Sequence, residues 1–252
     1  VKLAVVTGAS SGIGQSAAVQ IARRGVGVIL TYRGNPAGAE ETAERIEKEG
    51  GTAVALRLDV GSSDTFPAFR QSVAAELRER WQRQTFDYLV NNAGFGQMSM
   101  FEDTSEELFD RFVRVVFKGP YFLTQTLLPL LADGGAIVNV ASNSALTSGV
   151  ESGYSAYASA KGALIVLTRY LAKELSGRGI RVNAVSPGPT RTRISDDAFE
   201  RFSDAVPAMA ARTALGRIGE PDDIGMLIAA LLSQEGRWIT AQNIEVSGGF
   251  KL

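Results

Sequence analysis

Short apolar runs rich in β-branched residues alternate along the chain with longer stretches of helical spacing. The runs are Leu3 to Val6, Val26 to Thr31, Ala53 to Leu58, Tyr88 to Val90, Ala136 to Val140, Arg181 to Val185 and Ile244 to Val246. Their length and near-continuous apolar character predict strands buried on both faces. Helices are predicted between them, near Ile13 to Arg24, Ala37 to Glu49, Ser63 to Trp81, Ser105 to Leu131, Tyr154 to Leu175 and Pro221 to Leu232. Such alternation predicts an α/β fold with a doubly wound parallel sheet of about seven strands and helices on both faces. The charged run from Glu40 to Glu49 fits the solvated face of one of those helices.

No repeat, low-complexity tract or long linker divides the 252 residues, so residues 1–252 are expected to form a single domain. Pro187 to about Glu220 is the longest stretch without a clear period, and a substrate lid is expected within 190–218. The balance of 26 Lys+Arg against 27 Asp+Glu argues against nucleic acid as a partner. Apolar runs such as Met226 to Leu232 fall far short of the ~20 residues that span a bilayer, and Leu3 to Val6 is too short for a signal peptide. A cytoplasmic protein without membrane contact is the expectation. With no Cys and no His, thiolate nucleophiles, imidazole bases and zinc ribbons are excluded, and no metal site is expected. Proton transfer is left to Asp, Glu, Lys, Tyr or water.

The first strand leads into Thr7-Gly8-Ala9-Ser10-Ser11-Gly12-Ile13-Gly14 and then a helix. Glycines in such a turn let a ligand approach the backbone, and free N–H groups at a helix start attract phosphate. Gly8, Ser10, Ser11, Gly12, Ile13 and Gly14 are therefore candidate nucleotide contacts, which makes the fold a Rossmann-type NAD(P)-binding domain. After the second strand stand Tyr32 and Arg33, with no carboxylate before Glu40. An arginine there attracts a 2′-phosphate, so NADP(H) is favoured, with NAD(H) as the alternative. Asp59-Val60 after the third strand is placed to meet the adenine edge, or Asp59 caps the next helix.

Near the start of the fifth predicted helix, Tyr157 and Lys161 lie a turn apart on one face. An ammonium beside a phenol favours the phenolate and lowers its pKa from ~10.

Taken in order, Thr7-Gly8-x-x-x-Gly12-x-Gly14, Asp59-Val60, Asn91-Asn92-Ala93-Gly94, a serine after the fifth strand, Tyr157-x-x-x-Lys161, Asn183, Pro187-Gly188 and Val246-Ser247-Gly248-Gly249 span essentially the whole length. This set resembles the single-domain branch of the short-chain dehydrogenase/reductase family, and is most similar to its 3-oxoacyl-acyl-carrier-protein reductases. The resemblance implies that Tyr157 exchanges a proton with a carbonyl or alcohol oxygen as hydride moves to or from nicotinamide. It implies that Lys161 holds the nicotinamide ribose and tunes Tyr157, and that a serine bonds the substrate oxygen. Asn91, Ala93 and Gly94 would line the cofactor cleft, and Pro187, Gly188, Thr190 and Thr192 would border the nicotinamide. A small carbonyl or alcohol substrate and a homo-oligomer, tetrameric or dimeric, are implied as well. Met226 to Leu232 and Asn243 to Leu252 are candidate subunit contacts, though Ala241 and Ser247 replace the Gly and Asp that relatives often show.

Ser142 is the preferred serine because it ends a strand; Ser144, thirteen positions before Tyr157, is the alternative. Relatives usually read Val-Asn-Leu-x-Gly where this chain reads Val115-Val116-Phe117-Lys118-Gly119. The asparagine holds a water that links the lysine to solvent. Val116 cannot make that bond, so either another route serves Lys161 or the relay is impaired, unless Val116 simply packs. Tyr154, seven residues before Lys161, resembles the arrangement in enoyl reductases of the same family. A catalytically weak NADP(H)-binding sensor is a further reading. The substrate is expected between Phe95 to Phe101, with Met98 and Met100, and the segment from Arg191 to Arg217. Arg191, Arg193, Arg201, Arg212 and Arg217 there could meet an anionic carrier, although Asp196, Asp197, Glu200 and Asp204 are interleaved with them.

Overall fold

In the computed structural model, which describes residues 1–192 and 204–252, seven strands form one parallel sheet. They are β1 (Leu3–Val6), β2 (Gly27–Tyr32), β3 (Ala53–Arg57), β4 (Phe86–Asn91), β5 (Leu131–Val140), β6 (Arg181–Pro187) and β7 (Asn243–Val246). Their order is β3-β2-β1-β4-β5-β6-β7. Val5 of the central β1 pairs with Ile29 on one side and Leu89 on the other. Strand order reverses between β1 and β4, and ligands of open α/β sheets bind beyond the carboxyl ends of the strands at such a point.

Period-two alternation divides the core. Ala4 and Val6 point to the face covered by α1 (Gly12–Ala22), α2 (Pro36–Lys48) and the carboxyl-terminal helix α8 (Pro221–Leu232). Leu3 and Val5 point to the other face, against Phe66, Phe69, Val73 and Leu77 of α3 (Phe66–Trp81). The charged run forms α2 as expected: Asn35 caps it by accepting from the Gly38 N–H at 3.1 Å, and only Ala39, Thr42 and Ile46 are buried.

The continuous helix expected from Ser105 to Leu131 is not one helix. The chain forms α4 (Glu106–Phe112), a π-helical turn over Val113–Lys118, α5 (Gly119–Leu127) and a 3-10 turn over Leu128–Leu130, and Leu131 already belongs to β5. Proline supplies the reason. Pro120 has no N–H to donate to the carbonyl four residues back and its ring crowds that carbonyl, so the ladder widens and the Gly119 N–H reaches the Arg114 carbonyl instead. Gly119 also lies against the Val60 carbonyl, into which a Cβ would run. The helix α6 (Ser155–Glu174) carries the Tyr157 and Lys161 pair. A short helix, α7 (Ala205–Ala211), lies in the stretch that showed no period. Arg193, Asp196, Asp197, Glu200 and Arg201 lie outside the described residues.

Among the described residues no helix is long and apolar enough to cross a membrane, and no acidic cluster could hold a metal ion.

Candidate active site

The turn after β1 is held open for a ligand by its backbone. Gly8 and Gly12 have φ of +65° and +57°, in the left-handed region that favours glycine. A Cβ on Gly8 would stand 2.8 Å from the Ala93 Cα, and one on Gly14 would run into the Gly8 carbonyl oxygen and the Asn92 amide. Ser11 occupies the N-cap position of α1 in an extended conformation without a side-chain capping bond, and no acidic residue stands in the first turn. The first N–H groups of the helix are thus left for an anion, a cradle that fits a dinucleotide diphosphate. Ile13 packs its side chain on the core.

Two residues to which sequence reasoning gave no role fix this turn. Thr7 Oγ1 accepts from the backbone N–H groups of Asn92 (2.9 Å) and Ala93 (3.0 Å), and the Asn92 amide donates to the Thr7 and Gly8 carbonyls at 2.9 and 3.1 Å. Thr42 and Asn35 brace it from the α2 side, donating to the Ala9 and Ser10 carbonyls at 3.0 and 3.3 Å. Both Thr7 and Asn92 stood within the quoted motifs; only their mutual bonds show the tie. We expect Gly14→Ala to overpack this junction, lowering the thermal midpoint and weakening nucleotide binding by more than about tenfold, measurable by fluorescence titration.

The other predicted cofactor residues converge on the same end of the sheet. Pro187 ends β6, the Gly188 N–H donates to the Val246 carbonyl at 3.0 Å, and Thr190 Oγ1 donates to the Gly188 carbonyl at 2.9 Å. A Cβ on Gly12 would lie 3.3 Å from Thr192 Cγ2, so this segment reaches the glycine turn. Tyr32 closes β2 and packs on the core, while exposed Arg33 lines a polar cleft with Asp59, Ser62, Asp64, Arg111 and Arg114. Asp59 Oδ1 accepts from the Gly61 N–H at 2.8 Å; the 3-10 turn over Ser63–Thr65 has Ser62 at its N-cap, so Asp59 is not the cap of the next helix. Val60 is buried.

Across the cleft, Ser142 stands two residues beyond the end of β5 and accepts from the Ser144 N–H at 3.2 Å, with the two hydroxyl oxygens 3.1 Å apart. Of the two serines, Ser142 is the one whose hydroxyl acts on the Tyr157 phenol, drawing its pKa down. Tyr157 is only 7% exposed. Burial outweighs Ser142 and pushes the pKa up to about 12. The expected lowering by Lys161 is not what the structure gives. The Lys161 ammonium donates to the Val140 carbonyl at 2.6 Å and stands 5.9 Å from the Tyr157 ring centroid, and burial depresses its own pKa to about 8. Tyr157 thus keeps its proton at neutral pH, the state of a proton donor. A Cβ on Gly94 would approach Lys161 Nζ to 3.8 Å, so glycine leaves room beside the ammonium.

Residues 8–251 match the family described as enoyl-(acyl carrier protein) reductase. The 3-oxoacyl-[acyl-carrier-protein] reductase of Staphylococcus aureus is 34% identical over 98% of this chain and 97% of its own. The chain belongs to the short-chain dehydrogenase/reductase family. Among solved structures, the promiscuous reductase LugOII, which catalyses keto-reduction at C1 during lugdunomycin biosynthesis, superposes with a TM-score of 0.93. It is 36% identical and the match covers 99% of this chain and 97% of LugOII. The angucycline C-6 ketoreductase LanV with bound NADP also gives 0.93, at 34% identity over 99% of this chain and 95% of LanV.

As a member of the short-chain dehydrogenase/reductase family, the chain departs from the usual pattern at Val116. That side chain lies in the π-helical turn, 1% exposed, packed with Phe112, Tyr157 and Ala160. Phe112 meets the Tyr157 ring edge-on at 5.8 Å and stacks on Phe95 at 4.6 Å. Hydrocarbon therefore backs the tyrosine where the family usually places an amide. Asn91 is likewise internal: its amide donates to Thr124 and Asn139, at 3.0 and 2.9 Å, and Asn139 donates to Thr168 at 2.9 Å. This polar ladder crosses from α5 through β4 and β5 to α6. Asn183 also serves the scaffold, bonding the Ile239 carbonyl and the Gln242 N–H at 2.8 and 3.1 Å.

Three of the arginines considered for an anionic carrier are engaged with carboxylates. Arg191 pairs with Glu220 (3.2 Å), Arg212 with Glu151 (2.6 Å) and Arg217 with Asp223 (2.6 Å). The described part of this surface is thus charge-compensated.

Proposed function

We propose that the protein is an NADP(H)-dependent oxidoreductase that interconverts a ketone and a secondary alcohol, with Tyr157 as the acid–base group. The observation that carries this reading is the Tyr157 phenol, buried against Phe112 and Val116, beside Ser142 and one helical turn from the Lys161 ammonium. Bound nicotinamide supplies or receives the hydride. Gly8, Ser10, Ser11, Gly12, Ile13 and Gly14 hold the diphosphate; Arg33 takes the 2′-phosphate and Asp59 with Val60 the adenine. Ala93, Gly94, Pro187, Gly188, Thr190 and Thr192 line the nicotinamide half, with Asn91 bracing the strand behind them, and Lys161 holds the ribose. The NADP bound by LanV, 34% identical over nearly the full chain, supports that choice of cofactor.

A carbonyl oxygen placed between Ser142 and Tyr157 receives two hydrogen bonds, and the Tyr157 proton passes to it as negative charge develops there. Ser142 keeps its orientation through the Ser144 N–H. Met98, 67% exposed, and Met100 lie against Gly153 just ahead of α6, and they give the mouth of the site an apolar rim. Uncharged ketones and 3-oxoacyl thioesters both suit that rim; the lid expected within 190–218 lies partly outside the described residues. Arg191, Arg212 and Arg217 are each already paired with a carboxylate, which weakens the case for an acyl-carrier protein docking on them.

A second reading, enoyl-thioester reduction with Tyr154, draws on the description of the matching family and on the Tyr154 ring, 6.3 Å from that of Tyr157. NADPH oxidation with ketones, acetoacetyl thioesters and crotonyl thioesters separates the two. Turnover of carbonyl compounds alone is the expected result. Tight NADPH binding without turnover of any carbonyl compound would overturn the reading in favour of a sensor, and crotonyl turnover alone would move it to Tyr154.

We also propose a homo-oligomer, a tetramer or failing that a dimer. Tyr121 and Phe122 of α5, Val166 and Tyr170 of α6, and Met226 of α8 are exposed apolar side chains on helices, which a subunit contact would cover. Light scattering should give a multiple of the chain mass, and a monomer at micromolar concentration would contradict this.

A further inference from the structure

The polar cleft beyond β2 holds more positive charge than the Arg33 assignment uses. Arg111 and Arg114 line it together with Arg33, Arg111 from the last turn of α4 and Arg114, with Val115, from the π-helical turn that follows. Arg114 lies close to the loop after β3: a Cβ on Gly61 would be 3.9 Å from Arg114 Nε and 3.2 Å from Asp59 Oδ1. Arg111 is held in place by its guanidinium over the Phe95 ring at 4.2 Å. Among the described residues none of these three arginines forms an ion pair, although Asp59 and Asp64 share the cleft. Asp59 Oδ1 instead accepts the Gly61 N–H. Arg191, Arg212 and Arg217 near the substrate mouth, by contrast, are all paired.

Guanidinium groups left without carboxylate partners, converging on one solvent-filled cleft, form a receptor for a dianion. We infer that Arg114 is a second specificity-determining residue for the phosphorylated adenosine end of the cofactor, acting from the helix while Arg33 acts from the sheet. This rests on the NADP(H) reading. Arg111 lines the same cleft and is tied by Phe95 to the aromatic stack behind Tyr157. Arg114 is exposed and outside the core, so its replacement leaves the fold intact.

Binding of NADPH, NADH, 2′,5′-ADP and 5′-AMP to the full chain tests this without turnover. Arg114→Gln should weaken NADPH and 2′,5′-ADP about tenfold, leave NADH and 5′-AMP within about twofold, and flatten the salt dependence of NADPH binding. Arg114→Lys should retain part of the preference, because the charge remains while the bidentate fork is lost. Equal weakening of all four ligands would overturn the inference, since Arg114 would then act on the shared nucleotide. So would no change in Arg114→Gln while Arg33→Gln loses NADPH, a result that leaves the NADP(H) reading standing. Wild-type protein that binds NADH as tightly as NADPH would overturn both.

Discussion

Tyr157→Phe should slow carbonyl reduction by about 10³-fold while NADPH binding stays within about twofold of wild type. The substitution removes one hydroxyl from a ring that is otherwise packed by Phe112, Val116 and Ala160, so the wall of the site is unchanged. What is lost is the proton that a developing alkoxide needs and one of the two hydrogen bonds to it. No imidazole or thiol stands in reserve, because the chain has neither histidine nor cysteine. Tyr154, with its ring 6.3 Å away, is the nearest phenol, and Tyr154→Phe should cost far less. Steady-state turnover and fluorescence titration of both variants check this.

The second large effect concerns Lys161. Its ammonium is buried, bonds the Val140 carbonyl and has its pKa depressed to about 8. Below that value it carries its charge; above it the charge is lost, so carbonyl reduction should fall as pH rises through about 8. Lys161→Met should lack this limb and run about 10²-fold slower throughout. Stability should move the other way. A lysine whose folded pKa lies below its unfolded value opposes folding while it is charged, and folding stability recovers as pH rises from about 8 toward 10.5. Lys161→Met removes that burden and should stabilise the fold at pH 7, seen as a higher thermal midpoint. Loss of activity together with a gain in stability would mark a residue kept for chemistry. Denaturant titrations at pH 7 and pH 10 on both proteins read the difference directly.

Much of this fold is legible in the residues themselves. All seven strands overlap the short β-branched runs that predicted them; the inner ones are buried on both faces as expected, whereas the edge strands β3 and β7 are only partly buried. The break between α4 and α5 is not legible from periodicity, since Phe112, Val115, Val116 and Leu123 continue an apolar stripe through it. Pro120 was the signal, and its effect depends on which carbonyl the freed turn finds. The site shows the same division. Spacing places Tyr157 and Lys161 on one face of α6, but only packing shows that the ammonium turns to Val140 and that burial outweighs any attraction it exerts on the phenol. Asn91 reads as a cleft residue in a linear motif and proves to be a rung of an internal ladder whose other members, Thr124, Asn139 and Thr168, are far apart in sequence. Thr7 and Asn92 were hidden for a similar reason, since a tie between two strand ends has no local pattern. Unpaired Arg33 and Arg114 differ from paired Arg191 and Arg217 only in what folding brings beside them.

Deuteride transfer from C4-labelled NADPH in a single turnover with a ketone, followed by mass spectrometry in wild type and Tyr157→Phe, tests the central claim most directly. The expected result is one deuterium on the carbinol carbon in wild type and almost none in Tyr157→Phe with NADPH still bound. Label delivered at full rate in Tyr157→Phe, or found only on a saturated carbon–carbon unit when an enoyl thioester is supplied, would contradict it.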